Sequence, residues 1–249
     1  MLRHLNWNGC FNARDLGGLK LSNGQETLWG SIIRADSLDK LTLDDWRDVE
    51  NYGVRTVIDM RSDFERTAIS EHPVFEQRDS EHDISKHHIS AIRTIHRPLE
   101  DQQDAEFWTQ WLRFSSTPIY YGAFLTHCPA NVAGIFREIA QAQAGGVIFH
   151  CARGRDRTGL IAILLLALAG VTSSEIVDDY NLSAERLKAR PGQETEEAKI
   201  DKLLAQEETT SPDEILSLLN SFDAEAYLLK ASLSSAEIAA VRSRLAPGQ

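Results

Sequence analysis

"HCARGRDRTG", residues 150–159, packs one cysteine, three arginines, an aspartate, two glycines and a threonine into ten positions. The apolar run "GGVIF" (145–149) precedes it and "LIAILLLALAG" (160–170) follows. The first run is short, contains β-branched residues and reads as a buried strand. The second is apolar nearly all round, so the helix predicted from about Thr158 to Ala169 must be buried. A soluble chain seldom sets so much charge between two buried elements unless the loop binds something.

The pattern on either side extends the same reading. "TLDDWRDVENYG" (42–53) predicts a helix capped by Thr42, with Asp45 three residues on and Leu43, Trp46 and Val49 on one face. "VRTVIDMRS" (54–62) and "AIRTIHRPL" (91–99) read as strands. Residues 129–144 carry Val132, Ile135, Phe136 and Ile139 at helical spacing, ended by Gly145 and Gly146. "TSSE" (172–175), "SPDE" (211–214) and "SSAE" (234–237) each read as a helix start, capped by Thr172, Ser211 and Ser234. Strands alternate with helices up to about residue 183, and helices dominate afterwards. That order predicts an α/β fold with a sheet covered on both faces. Residues 1–183 form the α/β core and 184–249 a helical extension, a candidate lid, within a single domain of 1–249.

Composition narrows the partners. The 249 residues carry a net charge of −11, which disfavours non-specific binding to nucleic acid or to an anionic membrane. An anion site must then be a local basic island. Three cysteines, Cys10, Cys128 and Cys151, form no disulfide framework and indicate a reducing, cytoplasmic setting. No signal peptide is seen, and the longest apolar run is about half the ~20 residues of a spanning helix.

Strand, loop and helix together let backbone N–H groups converge on an anion at a helix start. Gly154 permits the tight turn. Cys151 ends the strand at the floor of that nest, where the field that attracts an oxyanion should also stabilise a thiolate. His150 can donate a hydrogen bond that fixes the backbone. Arg157 has the planar fork that holds two phosphate oxygens, and Thr158 can offer its hydroxyl to the sulfur. The set suggests covalent phosphoryl transfer: Cys151 attacks phosphorus and water releases the phosphate. Asp156 in the loop competes with Asp101 or Glu100 as the proton donor. Ala152, Arg153, Gly154, Arg155 and Thr158 are assigned to substrate binding. A sulfurtransferase of rhodanese type and a non-catalytic phosphate-binding module are the alternatives.

Cys-x5-Arg-Thr within this loop resembles the phosphate-binding loop of cysteine-dependent protein tyrosine phosphatases. It is closest to a bacterial and fungal branch that reads His-Cys-x-x-Gly-Lys-Asp-Arg-Thr-Gly. "NARDLGG" (12–18), "IIRADSL" (32–38), "VRTVIDMRSDFE" (54–65), "VDDYNLS" (177–183) and "AYLLKASLSSAEIAAVRSRL" (226–245) resemble further elements of that branch in order. The resemblance implies a phosphatase domain with a central, largely parallel sheet flanked by helices, needing no metal or other cofactor. It implies phosphoprotein substrates or, in some members, phosphoinositides. It also implies Cys151 as nucleophile, Arg157 as clamp and Asp156 in acid–base work. Arg155 stands where the branch has lysine, and with Arg153 it should form a basic rim.

The remaining polar positions read as scaffold. Arg14 and Asp15 are expected to pair with each other, and Asp59 and Arg61 to support the loop. His82, His87 and His88 with Asp83 fit a solvated loop better than a zinc site. Cys10 or Cys128 could form a reversible disulfide with Cys151.

Overall fold

The computed structural model describes residues 3–70, 91–101, 104–246 and 248. Five strands form one sheet: β1 (Arg14–Asp15), β2 (Ile32–Ala35), β3 (Val54–Asp59), β4 (Arg93–His96) and β5 (Gly146–His150). Their order is β1-β2-β5-β3-β4. β1 runs antiparallel to β2, and every other neighbouring pair is parallel. β5 is central and all five of its residues are buried, which is why it reads as a continuous apolar run rather than an alternation.

The alternation is nonetheless present in space. Val147 and Phe149 join one apolar cluster, and Ile148 joins the other with Ile33, Val57, Trp46 and Val49. Successive side chains of a strand point to opposite faces. α1 (Leu43–Asn51) covers the second face, and its Thr42–Asp45 capping box forms as predicted. α2 (Asp63–Ser70) and α3 (Ala105–Trp111) follow β3 and β4. α4 (Tyr121–His127), α5 (Pro129–Ala140), α6 (Asp156–Leu168) and α7 (Ser173–Leu187) come next. The chain closes with α8 (Gln193–Gln206), α9 (Ser211–Ser221), α10 (Ala224–Lys230) and α11 (Ser235–Leu245). Phe136, Leu164, Leu228, Val241 and Leu245 are buried in one cluster with the sheet. The C-terminal helices therefore share the core of the sheet, each such side chain contributing roughly 1.5–3 kcal/mol by burial.

Several local expectations shift. α6 begins at Asp156, two residues early, because the loop closes straight into the first helical turn. α5 ends at Ala140, four residues early. Thr172 caps no backbone N–H of α7; its hydroxyl faces Ser174 Oγ at 3.3 Å instead. The cap of α9 is Thr210, not Ser211, and it accepts from Asp213 N. A threonine one residue ahead of the serine already holds the extended backbone that a cap needs. Ser234 and Glu237 form the predicted capping box. Residue 183 lies inside α7, so no break in the backbone marks the compositional change. Among the described residues, no helix is long and apolar enough to cross a membrane.

Candidate active site

β5 pairs with β2 at Ala35↔His150 and with β3 at Asp59↔His150, so three strands end together where the loop begins. This is the carboxyl-end crevice of an open parallel sheet, where ligands bind in such folds. The loop is tied from behind by its carbonyls. Asn12 Nδ2 donates to Arg153 O and to Gly154 O, each at 3.1 Å. Arg34 Nη2 donates to Gly154 O at 2.8 Å and Arg190 Nη1 to Ala152 O at 3.1 Å. Carbonyls anchored on one side leave the N–H side of the loop for the cavity. Gly154 N–H donates to Cys151 Sγ at 3.3 Å.

Gly154 has φ +66°, and a Cβ there would lie 2.5 Å from Ala35 O. Left-handed backbone costs a non-glycine residue roughly 1–3 kcal/mol, and the clash adds to it. Gly154→Ala is expected to lower the melting temperature by several degrees and to weaken phosphate binding at least tenfold. Wild-type values in both measurements would show that the turn tolerates a side chain.

Cys151 is 2% exposed and sits in the wall of a cavity of about 580 Å³. Arg157 faces the same cavity, gripped by Glu65 through two hydrogen bonds of 2.5 Å, with Glu100 at 3.5 Å from its Nε. Asp156 also lines the cavity. Its Oδ1 is buried with no hydrogen-bond partner among the described residues. Burial raises its carboxyl above the usual range, against the pull of Arg155 and Arg157. Glu100 is raised by burial too, opposed by Arg157, and accepts from Tyr120 Oη at 3.2 Å. Of the two acids after "RPL", Glu100 lines the cavity, whereas Asp101 is exposed and anchors Trp108 Nε1 through its backbone carbonyl.

His150 is buried beneath the loop, with Nδ1 3.3 Å from Cys151 O and Nε2 3.9 Å from Asp59. Burial lowers its pKa, and because a carbonyl only accepts, Nδ1 carries the proton of that hydrogen bond. Asp59 and Arg61 bond to each other, and Arg61 also reaches Asp39.

Three expectations are corrected by the geometry. Arg14 and Asp15 do not pair with each other, because neighbours on a strand point to opposite faces. Arg14 turns to Asp179, and Asp15 accepts from Gly17 N, Gly30 N and Tyr52 Oη. The Thr158 hydroxyl does not reach the sulfur; it is buried with no hydrogen-bond partner among the described residues, and Gly154 N–H serves the sulfur instead. Arg155 is not a rim charge. It is buried and pairs with Glu197 at 2.5 Å, so only the half-exposed Arg153 faces solvent, itself 3.1 Å from Glu196. Cys10 donates its thiol to Asp36 at 2.8 Å, and burial, then Asp36, pushes its pKa well up. Cys128 is pushed up to about 11 by burial. The histidine cluster at 82–88 lies outside the described residues.

Sequence reasoning gave no role to Glu65, Asp179, Glu196 or Glu197. Asp179 is the hub of the site's support: it accepts from Arg3, Arg14 and Arg34, and Arg34 in turn holds the loop. Its position inside "VDDYNLS" was the one available signal.

With cysteine, guanidinium and anchored loop in one cavity, the comparison with known sequences is direct. Residues 5–247 match the tyrosine phosphatase family, and the chain belongs to that family. A tyrosine-protein phosphatase of Nostoc commune is 33% identical over 174 residues, 68% of this chain and 53% of that protein. A putative tyrosine-protein phosphatase of Cupriavidus necator is 32% identical over 181 residues, 70% of this chain and 61% of that protein. The chain thus spans about half the length of the first relative and six tenths of the second. Among solved structures, P. aeruginosa TpbA aligns over 82% of this chain and 88% of its own, at 14% identity and a TM-score of 0.39, a loose likeness.

Proposed function

We propose that this chain hydrolyses phosphotyrosine in proteins through a phosphocysteine on Cys151. The observation that carries the reading is the shared cavity: a thiol at its wall under the Gly154 N–H, facing a guanidinium already fixed by Glu65. In the first step the Cys151 sulfur bonds to phosphorus as the P–O bond to the tyrosine breaks. Asp156 gives its proton to the leaving phenoxide. In the second step water bonds to phosphorus, the S–P bond breaks, and the water's proton returns to Asp156. Arg157 and the amides of Ala152, Arg153, Gly154 and Arg155 hold the three equatorial oxygens throughout.

Membership of the tyrosine phosphatase family favours this chemistry over sulfur transfer. The Arg155–Glu197 pair leaves less unpaired positive charge on the loop for a polyanionic headgroup, which favours the protein substrate. The shared core favours one unit over 1–249, and three free thiols suit the cytoplasm.

The test is hydrolysis of a chromogenic aryl phosphate in chelator, with acid-quench trapping of one phosphoryl group on Cys151. Absence of the trapped adduct during turnover would sink the mechanism. Asp156 must be protonated to act, so activity is lost as pH rises through its raised folded pKa. The expected profile is a bell on the mildly acidic side. Asp156→Asn should lower kcat on phosphotyrosine by about 10²–10³ and remove the alkaline limb. An unchanged alkaline limb would move the acid role to Glu100.

A further inference from the structure

Two loop arginines are neutralised from one turn of a helix some forty residues away. Arg155 Nη1 pairs with Glu197 at 2.5 Å, with both side chains largely buried. Arg153 Nη1 pairs with Glu196 at 3.1 Å at the mouth of the cavity, where Lys199 also approaches Glu196 at 3.4 Å. Ile200 and Leu204, on the following turns of α8, are buried, which docks the helix that carries both carboxylates.

We infer that Glu196 is a specificity-determining residue, a built-in counter-ion that competes with substrate for Arg153 and confines the loop to isolated phosphomonoesters. This deepens the phosphatase reading and rests on it for the substrate. The scissile phosphate needs the loop amides and Arg157. A second phosphate beside it has Arg153 as the nearest solvent-facing cation of the loop, and Glu196 already holds that group. The Arg153–Glu196 pair is half-exposed and individually weak. Displacing it does not remove the carboxylate, however, because the buried Arg155–Glu197 pair keeps α8 docked. Glu196 therefore stays within a few ångströms and repels the incoming second anion.

Calorimetric titration of the full chain with inorganic phosphate and with pyrophosphate tests this. Wild type should bind the two anions with affinities within about threefold. Glu196→Gln should bind pyrophosphate roughly tenfold more tightly, with phosphate little changed. Adding Arg153→Ala to Glu196→Gln should abolish that gain. In turnover, Glu196→Gln should raise kcat/KM for a peptide with adjacent phosphotyrosines, relative to a singly phosphorylated one, by a similar factor. The inference is overturned by unchanged pyrophosphate affinity in Glu196→Gln, by a gain that survives loss of Arg153, or by a wild type that already prefers pyrophosphate tenfold. The titrations need no catalysis. A wild type that binds phosphate but hydrolyses no phosphopeptide would therefore defeat the phosphatase reading and leave the counter-ion test intact. Failure of both proteins to bind either anion would defeat both.

Discussion

Replacing Cys151 by serine is expected to lower aryl phosphate turnover by at least about 10⁴-fold while leaving phosphate binding within a few-fold of wild type. The two effects separate because the side chain and the oxyanion cradle do different work. A serine hydroxyl ionises far less readily than a thiol, so the cradle that suits a thiolate leaves it a weak nucleophile, and His150 turns its Nδ1 to the Cys151 carbonyl rather than to the side chain. The cradle is built from backbone and from Arg157, none of which the substitution alters. Turnover is read by the chromogenic assay, and binding by titration with inorganic phosphate. A serine variant with more than about a tenth of wild-type activity would mean that another group attacks phosphorus. Loss of phosphate binding together with activity would mean that the sulfur shapes the loop rather than reacting from it.

The second large effect is expected at Asp179. One carboxylate faces three guanidinia, with Arg14 Nε at 3.0 Å and Arg34 Nη1 at 2.6 Å, and Arg3 on the same oxygen as Arg14. Arg14 and Arg34 are completely buried. Asp179→Asn leaves two buried positive charges facing each other, a loss of about 3–5 kcal/mol. For a chain of this size that corresponds to a fall in melting temperature of roughly 10 °C. The damage should reach catalysis as well, because Arg34 holds Gly154 O and Arg14 holds Asn12.

The same site sets a pH dependence. Burial alone would raise the Asp179 carboxyl, but Arg14, Arg34 and Arg3 hold it far below the usual range. A carboxyl depressed in the folded state stabilises fully above its unfolded value near 4. That stabilisation is lost progressively as pH falls from that value toward the depressed folded one. The gap in melting temperature between wild type and Asp179→Asn should therefore be constant from neutrality to about pH 4.5 and shrink in stronger acid. A gap that shrinks already between pH 7 and 5 would assign the effect to another group.

The sequence carried the centre of this molecule clearly and its edges poorly. The strand–loop–helix around Cys151 was legible because burial there makes apolar runs continuous, and the charged loop interrupts them abruptly. The Thr42 and Ser234 caps were legible because a capping box is a local contact between residues three apart. The support of the loop was not, because its partners meet only through the fold. Asp179 is 165 residues from Arg14, and Glu65 is 92 residues from Arg157. The adjacency of Arg14 and Asp15 was actively misleading: the two are neighbours in the chain and on opposite faces of the sheet. Arg155 was misread for a related reason. Its charge was visible, but whether an arginine faces solvent or a carboxylate depends on where a distant helix lands. Glu197 of α8 decides that.

The grip of Glu65 on Arg157 has a consequence for the energetics of capture. A long cationic side chain in water samples many rotamers, and immobilising it costs up to about 2 kcal/mol. Here both hydrogen bonds to Glu65 fix the guanidinium plane as part of the fold. That entropic loss is incurred once, when the chain folds, and is not repeated each time an anion arrives. The clamp is a rigid template set by folding, and capture can proceed with little reorganisation of the host.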